Sequence, residues 1–324
     1  MNIKTSQKIL GYIQERGKIT AKEIGDYLEI SPRAIFKQLH NLLEKGKVWK
    51  IGRPPKVFYS IPGAKEENNK YKIPPNIKKV IEENFLMITP TGEKKEGIKG
   101  FIYWCGKRKM DIEKTAADYQ KTINKFKRFK NGGLINGKTK IKSTFKKNYL
   151  DQIYYIDFYS IERFGKTKLG QLLLYAKQSQ NKPMIKIIAN TVKPRIKQLI
   201  KKFKIDAIAF IPPTVKREIQ FMKELERNLI TNLPKISIVK VKTDIMVPQK
   251  SLNKLEDRIE NAKETIIVDE KNTYDKILII DDAIGSGATL NETAAQIKNK
   301  KIAKKVIGLA ITGSFKGFDI ISEV

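Results

Sequence analysis

The chain has 324 residues, of which 40% are hydrophobic and 31% charged, a composition typical of a folded protein with two domains rather than of a disordered one. No apolar run of about eighteen residues occurs, so we expect no membrane span and no membrane partner, and the single cysteine, Cys105, excludes a disulfide framework and a cysteine zinc site within one chain. Lysine and arginine number 65 against 34 aspartates and glutamates, a formal net charge of +31 that favours a polyanionic partner.

The lysine excess has a second explanation, because lysine, isoleucine and asparagine are abundant throughout, as in proteins from AT-rich genomes. Charge is therefore informative only where the fold concentrates it on one surface. The single histidine, His40, leaves little room for histidine-based catalysis or metal binding. The polar N-terminal segment leads directly into a helical pattern, which is not typical of a signal peptide. We expect a cytoplasmic protein without zinc.

Residues 1–62 have the pattern of three short helices followed by two strands. Thr20 and Glu23 form a capping box at the start of the second helix, which is expected to bury Ile24, Tyr27 and Leu28. Ser31 caps the third helix and Pro32 occupies its preferred first position. The two strands, 48–51 and 57–61, enclose a turn that contains Arg53 and Lys56.

The third helix has two distinct faces at about 100° per residue. One face is apolar, with Ile35, Leu39, Leu42 and Leu43, and the other presents Arg33, Lys37, His40 and Asn41. This helix and the basic hairpin after it resemble the winged helix-turn-helix domains of bacterial and archaeal transcription regulators. The resemblance implies binding of double-stranded DNA, with the helix in the major groove and the hairpin on phosphates or the minor groove, by a homodimer. A winged helix used only for protein contacts is the alternative.

Residues 63–150 are interpreted as a linker and a basic helical connector. The segment 64–75 is polar and proline-marked, and 111–130 has helical periodicity that the turn Asn131-Gly132-Gly133 closes. Its basic end, KFKRFK at 125–130, is either a nucleic-acid contact or, more often for such runs, a solvated helix face with aromatics packed inward. A connector, a dimer helix and the first part of the next domain all remain open.

From residue 151 to 324 strands and helices alternate. Strands are predicted at 207–211, 236–241, 276–280 and 305–312, and helices at 171–178, 193–203, 216–229 and 290–298. The predicted fold class is therefore α/β, a mainly parallel sheet with flanking helices that binds ligands at the carboxyl ends of its strands.

One candidate site follows the apolar strand 276–280. Asp281 and Asp282 can accept charge-assisted hydrogen bonds from the vicinal hydroxyls of a ribose. The small-residue segment after them leads into a helix, so that backbone amides can converge on a phosphate. The residues expected at that phosphate are Ala283, Ile284, Gly285, Ser286, Gly287, Ala288 and Thr289.

The run ILIIDDAIGSGATL resembles the motif of type I phosphoribosyltransferases that binds phosphoribosyl pyrophosphate (PRPP). Two further segments, 208–225 and 247–266, resemble the pyrophosphate loop and the flexible loop of the ComF-like family. The resemblance implies that PRPP binds together with Mg²⁺, and that no protein side chains hold the metal alone. It places Pro213, Thr214, Lys216 and Arg217 at the pyrophosphate and brings Lys250 or Arg258 in on loop closure.

The chain departs from that family in two places. A winged helix stands where the cysteine-rich zinc ribbon of ComF-like proteins would be, and Glu218 follows the basic pair where those proteins have glycine. The leading hypothesis is a DNA-binding transcription regulator whose phosphoribosyltransferase-like domain binds PRPP or a nucleotide as effector. The alternatives are an active Mg²⁺-dependent phosphoribosyltransferase with an accessory winged helix, and a ComF-like protein of DNA uptake.

Overall fold

The computed structural model describes residues 5–61, 71–215, 217–241, 247 and 251–314, apart from the side chain of Lys140. The chain divides into two units, Met1–Lys70 and Tyr71–Val324.

The first unit consists of three helices and an antiparallel hairpin, which are α1 (Thr5–Arg16), α2 (Ala21–Leu28), α3 (Pro32–Glu44), β1 (Trp49–Arg53) and β2 (Lys56–Ser60). Thr20 and Glu23 form the complete capping box of α2, and Ser31 caps α3. These caps satisfy amides that have no partner within the helix, which fixes where each helix begins.

The apolar faces of these helices meet in one small core. Ile9, Ile24, Ile35 and Leu39 are at most 1% exposed. Tyr27, which was expected inside, is 57% exposed and stacks on Tyr12 with ring centroids 3.8 Å apart. The prediction was wrong because a neighbouring ring on α1 covers one face of the tyrosine outside the core.

The second unit is built on an eight-stranded sheet, in the order β12-β11-β10-β13-β14-β7-β6-β5. The five central strands are parallel and the strands at both edges are antiparallel. Their bounds are β5 (Lys130–Asn131), β6 (Leu134–Asn136), β7 (Gln152–Phe158), β10 (Ala207–Phe210), β11 (Lys235–Lys240), β12 (Ile266–Asp269), β13 (Tyr274–Ile284) and β14 (Ala303–Gly313). Short hairpins are formed by β3 (Leu86–Ile88) with β4 (Lys94–Glu96) and by β8 (Ser160–Ile161) with β9 (Gly165–Lys166).

Helices cover both faces of the sheet. Their bounds are α4 (Pro75–Asn84), α5 (Gly97–Lys107), α6 (Ile112–Lys127), α7 (Lys138–Thr144), α8 (Lys168–Gln178), α9 (Lys182–Phe203), α10 (Phe221–Leu229), α11 (Leu255–Thr265) and α12 (Ala288–Asn299). None of the helices in the described part of the chain combines the length and the apolar character that a membrane crossing needs.

Two cores lie on opposite faces of the sheet, and the central strand β13 contributes to both. Its Ile277 and Ile279 pack in one core, and Leu278 and Ile280 in the other. This alternation is what a strand buried on both faces requires, and it explains the unbroken apolar run.

Residues 73–150 do not form a separate connector. Phe85, Phe101, Trp104 and Tyr119 form an aromatic cluster in the same core that contains Ile277 of the sheet. The predicted boundary at residue 150 is therefore replaced by the division after Lys70. The polar composition of residues 64–75 indicates that division. In α6, by contrast, the many basic residues make the buried apolar face hard to recognise from the sequence.

The largest further differences from the predicted boundaries concern α9, α10 and α11. Helix α9 begins eleven residues before 193 and continues through Pro194, because its apolar face is buried along its whole length. Helix α10 begins at Phe221 rather than at 216, so Arg217 lies in a loop. Most of the predicted flexible loop 247–266 is the helix α11.

Candidate functional site at the carboxyl end of the central strand

Asp281 and Asp282 lie near the carboxyl end of β13, directly after its apolar run. Successive residues of a strand face opposite sides of the sheet. Asp282 continues the face of Leu278 and Ile280, and the Lys177 ammonium of α8 lies on it, with Nζ 2.5 Å from Oδ2. The two carboxylates thus sit at one sheet edge but meet different surroundings.

The acid pair is electrostatically unequal. Burial, followed by the adjacent Asp282 carboxylate, raises the pKa of Asp281 to about 7. The amide of Asp282, 2.7 Å from Asp281 Oδ1, and the ammonium groups of Lys177 and Lys240 act in the opposite direction without cancelling that rise. One carboxyl group of the site therefore titrates near neutrality.

The segment after the acids forms the bend that the sequence predicts, but it is shorter. Ala283 and Ile284 belong to β13 and pair with Thr312 and Gly313 of β14, so they are not loop residues. The bend consists of residues 285–287, and Gly287 has φ +83°, a left-handed conformation that glycine adopts without a Cβ penalty. Gly287 caps α12, which begins at Ala288.

The amides of this bend point to an anion site. Among the described residues, the backbone amides of Gly285, Ser286 and Gly287 have no hydrogen-bond partner, while the Ala288 amide lies 3.3 Å from Ser286 Oγ. The adjoining N-terminus of α12 carries the positive end of the helix dipole. Donors without partners at a helix N-terminus form a binding site for a phosphate or carboxylate.

Described residues of the predicted pyrophosphate loop line the same cleft as this bend. The cavity that contains Asp281 and the bend is also lined by Pro213, Thr214 and Arg217. This cavity encloses about 1220 Å³, including space open to solvent. Arg217 Nη1 donates to the Lys177 carbonyl at 2.7 Å, and Gln220 Nε2 lies 3.2 Å from the Arg217 carbonyl. Lys216, predicted at the same place, lies outside the described residues.

Two lysines of the cleft were missed by the sequence analysis. Lys177 comes from the end of α8, more than a hundred residues before the acids, and no local pattern marks it. Lys240 ends β11, and its Nζ lies 2.7 Å from Thr214 Oγ1. Burial lowers the pKa of Lys240, an effect that the Asp281 carboxylate opposes. A charged residue at the carboxyl end of a parallel strand was a usable signal for Lys240.

Arg258 also lines the cleft, from α11. Its side chain is 5% exposed, and its Nε donates to the Leu252 carbonyl at 2.8 Å. In this structure Arg258 is part of the cleft wall, held on a helix, whereas the prediction put it on a loop that closes. Lys250, the other predicted flexible-loop cation, lies outside the described residues.

The described part of the chain contains no group of three or more His, Cys, Asp and Glu side chains that could hold a metal ion. Asp281 and Asp282 are hard oxygen donors of the kind that Mg²⁺ prefers. Each of them faces a lysine, so the donor set suits a metal that arrives with further ligand oxygens better than a resident one.

In the first unit, each of the predicted DNA-contact residues is exposed. Arg33, Lys37, His40 and Asn41 of α3 are all exposed, as are Arg53 and Lys56 of the hairpin. His40 Nε2 lies 3.4 Å from Oε1 of Glu44, one turn further along α3. The apolar face of the same helix, with Ile35, Leu39 and Leu42, is buried.

No family model matches the chain, and no curated protein matches it. Among solved structures, a hypoxanthine phosphoribosyltransferase from Staphylococcus aureus is similar over 40% of this chain, with 14% identity and a TM-score of 0.25. The match spans 64% of that chain, less than two thirds of its length. The interpretation of the cleft therefore depends on its own geometry.

Proposed function

We propose that the unit Tyr71–Val324 has a phosphoribosyltransferase-like fold and binds PRPP, or a nucleotide with the same ribose 5-phosphate group, in the cleft at the end of β13. The observation that carries this proposal is the combination of two carboxylates with a bend at a helix N-terminus whose amides have no partner among the described residues. A ribose 5-phosphate needs acceptors for its hydroxyls and donors for its phosphate, a few ångströms apart.

Each part of the ligand has a matching part of the cleft. Asp281 and Asp282 accept hydrogen bonds from the ribose hydroxyls, and the amides of residues 285–287, with the Thr289 hydroxyl, donate to the 5-phosphate. Thr214 and Arg217 face the pyrophosphate. Mg²⁺ enters with the ligand, held mainly by ligand oxygens and water, and neutralises part of the pyrophosphate charge.

For the first unit we propose a winged helix-turn-helix that binds double-stranded DNA. The exposed cations of α3 would enter the major groove, and Arg53 and Lys56 of the hairpin would contact the backbone. A homodimer would present two such units to paired half-sites. Together the two units make a transcription regulator for which PRPP or a nucleotide is the effector.

An active phosphoribosyltransferase is the second candidate, and the residues proposed to face the pyrophosphate support it. Thr214 and Arg217 line the same cavity as the acid pair, where a leaving pyrophosphate would be stabilised. In such a reaction a nitrogen nucleophile replaces pyrophosphate at the anomeric carbon, and the protein contributes positioning and charge stabilisation. Release of pyrophosphate from PRPP with Mg²⁺ and one base of a full panel would establish this activity, and no release with any base would exclude it.

Ligand binding is tested by calorimetric titration of the full chain with PRPP and Mg²⁺. The variant Asp281→Asn with Asp282→Asn should weaken binding by at least about tenfold, because charge-assisted hydrogen bonds are lost. Asp275→Asn is the matched control, since Asp275 lies near the other end of the same strand. Equal affinity in both variants would show that the acid pair is not the ribose site.

The regulator is tested by binding to genomic duplex fragments with and without PRPP. An effector must bind the DNA-competent and the incompetent forms differently, so duplex affinity should change several-fold when PRPP is added. Arg33→Ala with Lys37→Ala should weaken duplex binding, whereas Lys8→Ala with Lys18→Ala, also exposed cations of the first unit, should not. A duplex affinity that does not change when PRPP is added would refute the effector role, but it would not contradict the proposed ligand site.

A further inference from the structure

Helix α9 carries a concentration of positive charge that the proposed function does not use. The 22-residue helix contains six lysines and Arg195 but no aspartate or glutamate. Five of the lysines fall within an arc of about 100° at 100° per residue and extend over about 28 Å at 1.5 Å per residue. We call this set the lysine stripe, which consists of Lys182, Lys186, Lys193, Lys197 and Lys201.

The apolar face of α9 is buried, which holds the backbone that carries the stripe in place. Ile185, Ile188, Val192, Ile196 and Leu199 are at most 4% exposed in the core beside the sheet. The stripe is therefore displayed on a packed element of the fold. Four of its lysines are exposed and Lys193 is half-buried.

The charges of the stripe are not compensated within the described part of the chain, because no side chain there pairs with any of the five. The basic end of α6, which the sequence marks more visibly, differs in this respect. There Lys125 pairs with Glu162 at 2.5 Å, Lys130 pairs with Asp157 at 2.6 Å, and Phe126 is buried. Of the two basic helices, α9 carries the larger excess of positive charge, because it contains no acidic residue.

The chemistry of the stripe selects among partners. A second copy of this helix would meet it with like charge. A membrane surface would need exposed apolar side chains beside the lysines, and the face offers only Ile187. Single-stranded nucleic acid is usually held by stacking aromatics, and α9 has a single aromatic, the half-buried Phe203 at its end. The phosphate backbone of duplex DNA fits a straight row of cations without such additions.

We propose that the lysine stripe of α9 is a second DNA-binding surface, located on the unit that contains the cleft, and that it contacts the backbone of duplex DNA without reading its sequence. This surface is independent of PRPP and of the contacts proposed for α3. It gives the second unit its own affinity for DNA, so that part of the binding persists when the first unit is disabled.

The experiment measures binding of a labelled 30-base-pair duplex of arbitrary sequence to the full chain, by fluorescence anisotropy from 50 to 200 mM salt. All proteins carry Arg33→Ala and Lys37→Ala to reduce binding by the first unit. The stripe variant adds Lys186→Gln, Lys197→Gln and Lys201→Gln. The control adds Lys121→Gln, Lys271→Gln and Lys305→Gln, which are exposed lysines elsewhere in the second unit and remove the same charge.

Each phosphate contact contributes about −0.9 to the slope of log affinity against log salt. The stripe variant should therefore reduce the magnitude of that slope by about 2 to 3. The control should lower it by less than about 1. Equal slopes for the two variants would show that only net charge matters and overturn the proposal. Binding of polyglutamate as tight as that of the duplex would identify an acidic protein as the partner, with the same consequence. PRPP titrations of the stripe variant should match those of the parent, which separates this result from the ligand site.

Discussion

The pKa of Asp281 provides a sharp test of the ligand site. Because burial and Asp282 raise that pKa to about 7, Asp281 is mostly ionised at pH 8 and mostly protonated at pH 6. A carboxylate accepts hydrogen bonds from two hydroxyls, whereas the protonated group loses its charge and part of its acceptor capacity. PRPP affinity should therefore fall as pH decreases, by about tenfold between pH 8 and pH 6, or about 1.4 kcal/mol.

Calorimetry measures this dependence in two ways. Dissociation constants at half-unit intervals give the profile, and titrations at pH 7 in buffers of different ionisation enthalpy should show release of about half a proton, since Asp281 is then about half protonated. The phosphate of the ligand itself titrates near pH 6. The Asp281→Asn variant should keep the pH dependence that comes from the ligand phosphate and lose the pH dependence that comes from Asp281. A profile of the same shape in the variant and in the parent would refute the assignment of Asp281 to the ribose.

Three further predictions concern single residues. Lys177→Met should move the midpoint of the same pH profile upward, because the Lys177 ammonium lowers the pKa of Asp281, and Lys177→Arg should restore the midpoint. Gly287→Val should lower the free energy of unfolding by about 1 to 2 kcal/mol in chemical denaturation, because a β-branched residue is strained at positive φ, while Gly106→Ala, in open space on α5, should not. Thr20→Ala should cost about 1 kcal/mol in unfolding of the first unit, and Thr20→Ser should recover most of it.

The parts of the site that are contiguous in sequence could be predicted from it. A fully apolar strand followed by two acids and small residues allows few local structures, and β13, the bend at 285–287 and α12 follow that order. Arg217 and Arg258 line the cleft with them, although the elements that carry both residues differ from the predicted ones. Local patterns fix elements well but do not fix their ends.

Tertiary packing decided the features that could not be predicted. Pro194 suggests a helix start, yet α9 passes through it, since one lost backbone hydrogen bond is outweighed by the apolar face buried on both sides of the proline. Lys177 reaches Asp282 only because α8 packs against the sheet at β7 and β14. Residues 73–150 belong to the second unit through long-range contacts, because their aromatic cluster lies in the same core as Ile277 and Ile279 of β13.

The two unpredicted lysines resolve a difficulty that the acid pair creates. Two carboxylates at the floor of a cleft would repel a ligand that carries several phosphate charges. The described residues lining this cleft include four cations, Lys177, Arg217, Lys240 and Arg258, against the two acids, which leaves an excess of positive charge. Because Lys177 and Lys240 lie beside the acids, their charges offset those of the acids locally. The bend amides, and the N–H groups of Arg217 other than the one at Nη1 that donates to the Lys177 carbonyl, can then serve phosphate. A site of this composition favours a ligand with hydroxyls at one point and anionic groups on both sides of it, which is the pattern of a phosphorylated ribose carrying pyrophosphate.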